Sequence, residues 1–374
     1  MEHLEKAPHP RGLFLELSRI ARCLFLLFCL APLAAQSVGV PRGKALYGFF
    51  PSPPVMTQES VIDTYKALGQ HGNAVLFGRN VPWKDFAKGP NPDAAEMREL
   101  SWMIQLSRQN NLEPVFVVDP LNGLDRRKFM ALPDGWKPSF ANPDIRSAMM
   151  NYSLRIVREF HPQFLALASE INTYQDTHPD DYPAFLTLYR EMYARIKAEA
   201  PQTQVFVTFQ WEEINNLMPG LDGGKPPHAT RWEQIEAFEP QLDLWAISTY
   251  PYVVYRSARE IPAAYYTSLA HRTSKPVALA EGGYSSQDIG SLRGSPEDQS
   301  MFLRAVHDQV GDRLRMWIYT VLSDFSLESY AALLKQQGLG SDIQTLGWFA
   351  HIGLRAADGR PKPGLAVWDN FRGK

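Results

Sequence analysis

Eight short apolar runs, separated by segments with helical spacing, constrain this chain more than any other feature. They are Ala45–Phe50, Ala74–Phe77, Pro114–Val118, Phe164–Ala168, Val205–Phe209, Leu242–Ile247, Val277–Ala280 and Met316–Leu322. Most are apolar without alternation, the pattern of parallel strands covered on both faces. Asn91-Pro92-Asp93 opens an amphipathic segment with Met97, Leu100 and Ile104 on one face. Asn142-Pro143 opens another, carrying Ile145, Met149, Tyr152, Ile156 and Phe160, and a third carries Phe185, Leu188, Met192 and Ile196. Ser295-Pro296-Glu297-Asp298 is an N-cap signature before Met301 and Phe302. Strands and helices alternating in this way over roughly 300 residues predict an α/β fold, a single (β/α)8 TIM barrel over 45–374. A doubly wound sheet would need fewer strands and a glycine-rich first turn, and neither G-x-G-x-x-G nor a P-loop occurs.

The N-terminus reads differently. Arg19 and Arg22 precede the apolar stretch Cys23–Ala35, which ends in small residues. Basic flank, short apolar run and small residues predict a signal peptide over 1–35, followed by a short segment, 36–44. The run is well short of the roughly 20 residues of a membrane span, so no span is expected beyond the leader. An uncleaved anchor is the alternative. Both cysteines, Cys23 and Cys29, fall inside this stretch. The mature chain is therefore expected to be cysteine-free, periplasmic or secreted, monomeric, and held together by its core. With 38 Lys+Arg against 40 Asp+Glu, the net charge of −2 gives no basic surplus for nucleic acid.

In a barrel of this kind reactive side chains stand where strands end, at the C-terminal face. Two glutamates, Glu170 after the fourth run and Glu281 after the seventh, each follow an apolar strand with no turn residue between. Three strands apart around a ring, their carboxyls can face each other across the mouth. Such a pair about 5–5.5 Å apart serves retaining glycoside hydrolysis, one as nucleophile and the other as acid and then base.

These segments resemble those of the clan A glycoside hydrolases. Phe164–Asn172 is similar to that clan's acid/base strand and Pro276–Tyr284 to its nucleophile strand. Leu242–Tyr252 is similar to its sixth strand, which bears a Tyr near the nucleophile. The Glu170-Ile171 continuation and Tyr250-Pro251 lean towards the endo-β-1,4-galactanases. The run Gly347–Leu354 and then Asp358–Pro363 looks like the passage from strand eight into helix eight. The resemblance implies Glu170 as acid/base, Glu281 as nucleophile, Tyr250 as hydrogen-bond donor to Glu281, Arg79 as the second-strand arginine, and no cofactor. Ser169 departs from the clan's Asn at that position. Asn172 is a further expected sugar contact.

Trp83, Trp211, Tyr252 and Trp317 are candidates to stack on pyranose faces, with core filling as the alternative. Trp317 is the expected subsite floor, and Tyr319 points the same way as Trp317. Asp119, Glu212 and Asp324 near strand ends read as structural carboxylates. Histidines are scattered, with no metal-ligand spacing, and no G-x-S-x-G elbow occurs. The expected function is hydrolysis of a β-linked polysaccharide or oligosaccharide. Ser169 keeps open a non-catalytic carbohydrate-binding protein on the same barrel. A hydrolase using Asp119 and Glu281 on another bond is a third, weaker reading.

Overall fold

The computed structural model describes residues 44–91, 93–218, 229–336 and 343–373. The leader read over 1–35, and residues 36–43 after it, lie outside the described residues. Strands β1 (Leu46–Phe49), β2 (Ala74–Asn80), β3 (Glu113–Asp119) and β4 (Phe164–Ala166) run parallel, each beside the next. β5 comes in two pieces, Gln204–Phe206 and Thr208–Gln210. The first piece pairs with β4 and the second with β6 (Trp245–Thr249), so Val207 is where the strand changes partner. β7 (Val277–Gly282) and β8 (Leu314–Tyr319) follow, and β8 pairs with β1, Leu46 opposite Met316, which closes the ring. Nine strand segments thus make the eight-stranded barrel that the apolar runs predict.

Eight helices alternate with the strands: α1 (Gln58–His71), α2 (Ala95–Gln109), α3 (Pro143–Phe160), α4 (Tyr182–Glu199), α5 (Glu233–Glu236), α6 (Thr267–Arg272), α7 (Pro296–Val310) and α8 (Pro363–Arg372). Two start as the sequence dictates. Asn142 accepts from Asp144 N at 3.0 Å with Pro143 at the first helical position of α3, and Ser295 accepts from Asp298 N at 3.1 Å at α7. Each satisfies a backbone donor that a helix start leaves open. The apolar stripes expected on α2, α3 and α4 are buried against the barrel. Only Phe160 stays half-buried, stacked on Phe116 with centroids 5.7 Å apart. Among the described residues no helix is long and apolar enough to cross a membrane.

Strand parity settles which side chains face the barrel interior. On β2, Leu76 and Gly78 line an internal cavity, so Arg79 points outward. It is held between β2 and α2 by Glu96 Oε1 at 2.5 Å and Glu99 Oε1 at 2.9 Å, and it does not take the site position the resemblance implies. On β8, Trp317 and Tyr319 do share a direction, but it is towards α8. Their rings lie 5.2 and 6.0 Å from that of Trp368. Trp317 therefore fills the layer between barrel and helix instead of flooring a subsite, because α8 supplies an aromatic seat at that level.

Candidate active site

β4 is followed by Leu167-Ala168-Ser169, all buried, and Glu170 then turns sharply into a short helix, Ile171–Thr177. Its backbone sits at φ 49° and ψ 43°, the left-handed region that costs a residue with a Cβ about 1–2 kcal/mol. Thr208 on β5 offsets that cost. Its Oγ1 accepts from Glu170 N at 2.9 Å and lies 3.1 Å from Ser169 Oγ. The turn leaves the Glu170 carboxyl fully buried, Oε1 accepting from Ser248 Oγ at 2.5 Å and Oε2 from Arg126 Nε at 3.1 Å.

Glu281 stands on β7, where the register against β6 slips between Leu279 and Glu281. Its Oε1 accepts from Tyr250 Oη at 2.6 Å, and that hydroxyl also lies 2.8 Å from Thr320 Oγ1. A narrow cavity reaches Glu281, Ser169 and Thr208 between the apolar walls of Phe50, Leu76 and Val117. Such walls disfavour a charged carboxyl. Burial first, and then the charge of Glu170, push the Glu281 carboxyl up to about 8, although Arg126 and Tyr250 oppose the shift.

Arg126 is the residue that sequence reasoning missed. It comes from a small antiparallel hairpin after β3, in which Leu121–Asn122 pairs with Asp125–Phe129. Its neighbours Arg127 and Lys128 are exposed, whereas Arg126 is fully buried. Nη1 donates to Asp119 Oδ2, Nε donates to Glu170, and Nη2 has no hydrogen-bond partner among the described residues. Burial alone would lower its basicity, but Asp119, Glu170 and Glu281 outweigh that and raise it. Burial lifts Asp119 to about 6 against the pull of Arg126 and of Leu121 N. One cation thus serves three carboxyls. Within an Arg-Arg-Lys run no spacing marks Arg126, and only the hairpin's geometry turns it inward.

The structure brings Ser169, Glu170, Tyr250 and Glu281 together and leaves other expected contacts elsewhere. Asn172 clamps the end of β5, its Oδ1 accepting from Gln210 N at 2.8 Å. Trp211 is buried beside Trp232 and Tyr265. Trp83 is buried against the hairpin, with Nε1 donating to Met130 O at 2.7 Å. These three pack as core because their faces are already covered. Tyr252 is buried edge-on to Tyr250 and donates to Trp348 O at 3.2 Å. Glu212 accepts from Gln210, Thr249, Tyr250 N and Tyr265, a saturated carboxyl whose pKa burial raises. Asp324 pairs with Lys362 at 2.7 Å. Among the described residues no group of three or more His, Cys, Asp or Glu side chains could hold a metal ion.

Beside the rim, the loop 287–292 after β7 and the segments 325–327 and 344–351 after β8 frame a groove of about 1190 Å³. Half-buried Trp348 lines it together with Gln287, Ser291 and His351. The segment that carries Trp348 also reaches the site, since its neighbour Phe349 packs edge-on against Tyr250 with centroids 5.0 Å apart.

No family model and no curated protein matches the sequence. Solved structures do match in fold. The exo-β-1,4-mannosidase Op5Man5 from Opitutaceae bacterium strain TAV5 aligns at 16% identity and a TM-score of 0.62, covering 91% of this chain and 62% of the mannosidase. A GH5_18 protein from Bifidobacterium longum subsp. longum, in complex with Manβ1-4GlcNAc, aligns at 14% identity and a TM-score of 0.61, covering 88% of this chain and 78% of that one. Fungal β-1,4-galactanases align at 15% identity and a TM-score of 0.51, covering 83% of this chain and 90% of theirs. The chain has the parallel barrel fold of these glycoside hydrolases, shared by mannosidase and galactanase neighbours alike.

Proposed function

We propose that the protein is a glycoside hydrolase cleaving a β-linked glycan by double displacement. Glu281 attacks the anomeric carbon and forms a glycosyl ester, while Glu170 protonates the departing oxygen. Glu170 then takes a proton from water, whose oxygen attacks the same carbon and frees Glu281. Tyr250 orients the Glu281 carboxyl throughout. The observation that carries this reading is the meeting of the two strand-end glutamates in one buried charge cluster around Arg126, in which the charge of Glu170 helps raise the Glu281 carboxyl. The groove beside the rim favours a chain of several sugars over a single unit, and its lining of indole, amide and hydroxyl groups suits a carbohydrate. With the leader removed, the enzyme would act as a monomer in the periplasm or outside the cell.

The test is a panel of β-mannans, β-galactans, β-glucans and aryl glycosides, scored for reducing ends or aglycone. Glu281→Gln should abolish formation of the glycosyl ester, detected as a mass increment on the intact chain with a 2-fluoro glycoside. Glu170→Gln should spare the first step for good leaving groups and slow both steps for poor ones. Unchanged hydrolysis by both variants would overturn the assignment.

One observation favours a second reading. Both oxygens of Glu170 already accept hydrogen bonds and the side chain is fully buried, as befits an ion pair that braces the hairpin. With Ser169 in place of the expected Asn, this describes a barrel that binds glycans without cutting them. Binding across the panel with no new reducing ends would select it.

A further inference from the structure

We infer that Arg126 is a positioning residue for Glu170: its ion pair with that glutamate has to open before Glu170 can hand a proton to a leaving group, and the hairpin Leu121–Phe129 is the element that moves. The inference rests on the two-glutamate reading above and supplies a step which that reading lacks.

A general acid needs its proton on an oxygen within hydrogen-bond reach of the departing atom. Glu170 has no such oxygen in this arrangement. Ser248 Oγ donates to one and the Arg126 guanidinium to the other, and the carboxyl is wholly buried. The cavity meets Glu281 and Ser169 instead. Burial, followed by the charge of Glu170, lifts the Glu281 carboxyl to about 8, so near neutral pH Glu281 is the glutamate that carries a proton. The proposed chemistry needs the opposite distribution.

Asp119 approaches Glu170 from β3, Arg126 from the hairpin and Glu281 from β7, and Tyr250, directly after β6, donates to Glu281. Glu212, after β5, is turned to Thr249 and Tyr265. Arg126 is therefore the cation that fixes where the proton sits. It also has somewhere to go, because Nη1 already donates to Asp119 and Nη2 has no partner among the described residues. Leaving Glu170 gives up one of two ion pairs and keeps the guanidinium neutralised. The base of the hairpin is anchored, with Asn80 Nδ2 donating to Leu121 O at 3.2 Å and Phe129 lying 4.7 Å from Phe140 between ring centroids. Motion would then be confined to the stretch that carries Arg126. Once it withdraws, Glu170 and Glu281 face each other and the proton can pass to the leaving-group side.

Infrared difference spectroscopy of the full chain near neutral pH reads the proton directly from the carbonyl stretch of a protonated buried carboxyl. In the unsubstituted protein that band should vanish in Glu281→Gln and persist in Glu170→Gln, a comparison that leaves Arg126 in place and so survives a failure of any Arg126 variant to fold. Arg126→Met should add bands from Glu170 and from Asp119, which loses the same cation; Glu170→Gln should then remove only the first, and Arg126→Lys, which keeps the charge, should restore the original pattern. On an aryl glycoside with a poor leaving group, Arg126→Met should move the basic limb of kcat/KM upward by about one pH unit or more, with KM changed less than about threefold. A band that belongs to Glu170 in the unsubstituted protein, or an Arg126→Met spectrum with no added band that Glu170→Gln removes, overturns the inference. If no glycoside is cleaved, the proposed function fails while the infrared outcome still decides the role of Arg126.

Discussion

Tyr250 Oη stands 2.6 Å from Glu281 Oε1 and is the hydroxyl that holds that carboxyl across the gap between β6 and β7. Both residues are buried, and burial, followed by the charge of Glu281, raises the Tyr250 pKa well above its ordinary value. The phenol therefore stays a donor at any physiological pH. A hydrogen bond to a charged acceptor is worth about 1.5–3 kcal/mol, and the charged carboxylate is the form that attacks. Tyr250→Phe should accordingly lower turnover roughly 10- to 100-fold while altering KM little, as steady-state kinetics on an aryl glycoside will show. Thr320 Oγ1 keeps Gly282 O as a partner, so the loss in stability should stay near 1 kcal/mol. Unchanged turnover would remove Tyr250 from the mechanism.

The raised Glu281 carboxyl makes folding stability depend on pH in a definite direction. Below the unfolded-chain value of about 4.3 the group is protonated in both states and its contribution is fully present. From there to about 8 the unfolded chain releases a proton that the folded protein keeps. Stability should fall across that window by at most about 1.4 kcal/mol per pH unit and level off above it. Asp119, raised to about 6, adds a loss of the same sign confined to the lower part of the window. Urea unfolding of Glu281→Gln and of the unsubstituted protein from pH 4 to 9 isolates the Glu281 part. The difference between the two should shift in favour of the variant as pH rises, and a constant difference would contradict the assignment.

The strands and most helices were legible because burial on both faces leaves an unbroken apolar run and burial on one leaves a 3.6-residue stripe, as in Met97, Leu100 and Ile104. Caps such as Asn142 and Ser295 are equally local. The split in β5 was not legible, since Val207 is as apolar as its neighbours and the break reflects a change of partner strand. Direction around the barrel was also beyond one-dimensional reading. Arg79 and Trp317 lie on the right strands, but which face each occupies depends on where the ring's interior falls. Arg126 was hidden for a third reason: a buried cation among exposed ones differs from them only in what the fold places opposite it.

Arg79 supplies a prediction about stability alone. It is buried with Glu96 and Glu99 at 1–3% exposure. Arg79→Met takes the cation away from two buried carboxylates, a change that costs about 3–5 kcal/mol when an ion pair is broken from one side. Replacing all three, with Glu96→Gln and Glu99→Gln added, should return much of that loss because no uncompensated charge then remains. Denaturant midpoints measure both steps, and glycan affinity in the folded variants should be unaltered. A drop in affinity with stability intact would instead place Arg79 at the sugar.

Trp317 separates core from subsite most sharply. Its ring lies 5.2 Å from Trp368 and 6.1 Å from Tyr47, between β8 and α8. Trp317→Ala should therefore open a cavity and cost about 3–5 kcal/mol. Trp317→Phe should cost less than its volume change suggests. The indole Nε1 is buried without a hydrogen-bond partner among the described residues, and phenylalanine removes that unsatisfied donor while keeping an edge contact with Trp368. A sugar platform would behave in the opposite manner, losing affinity with either substitution while unfolding at nearly the same urea concentration. Calorimetric titration with a bound oligosaccharide, set beside urea unfolding of the same two variants, distinguishes the outcomes, and the packing on α8 predicts that only the unfolding curves move.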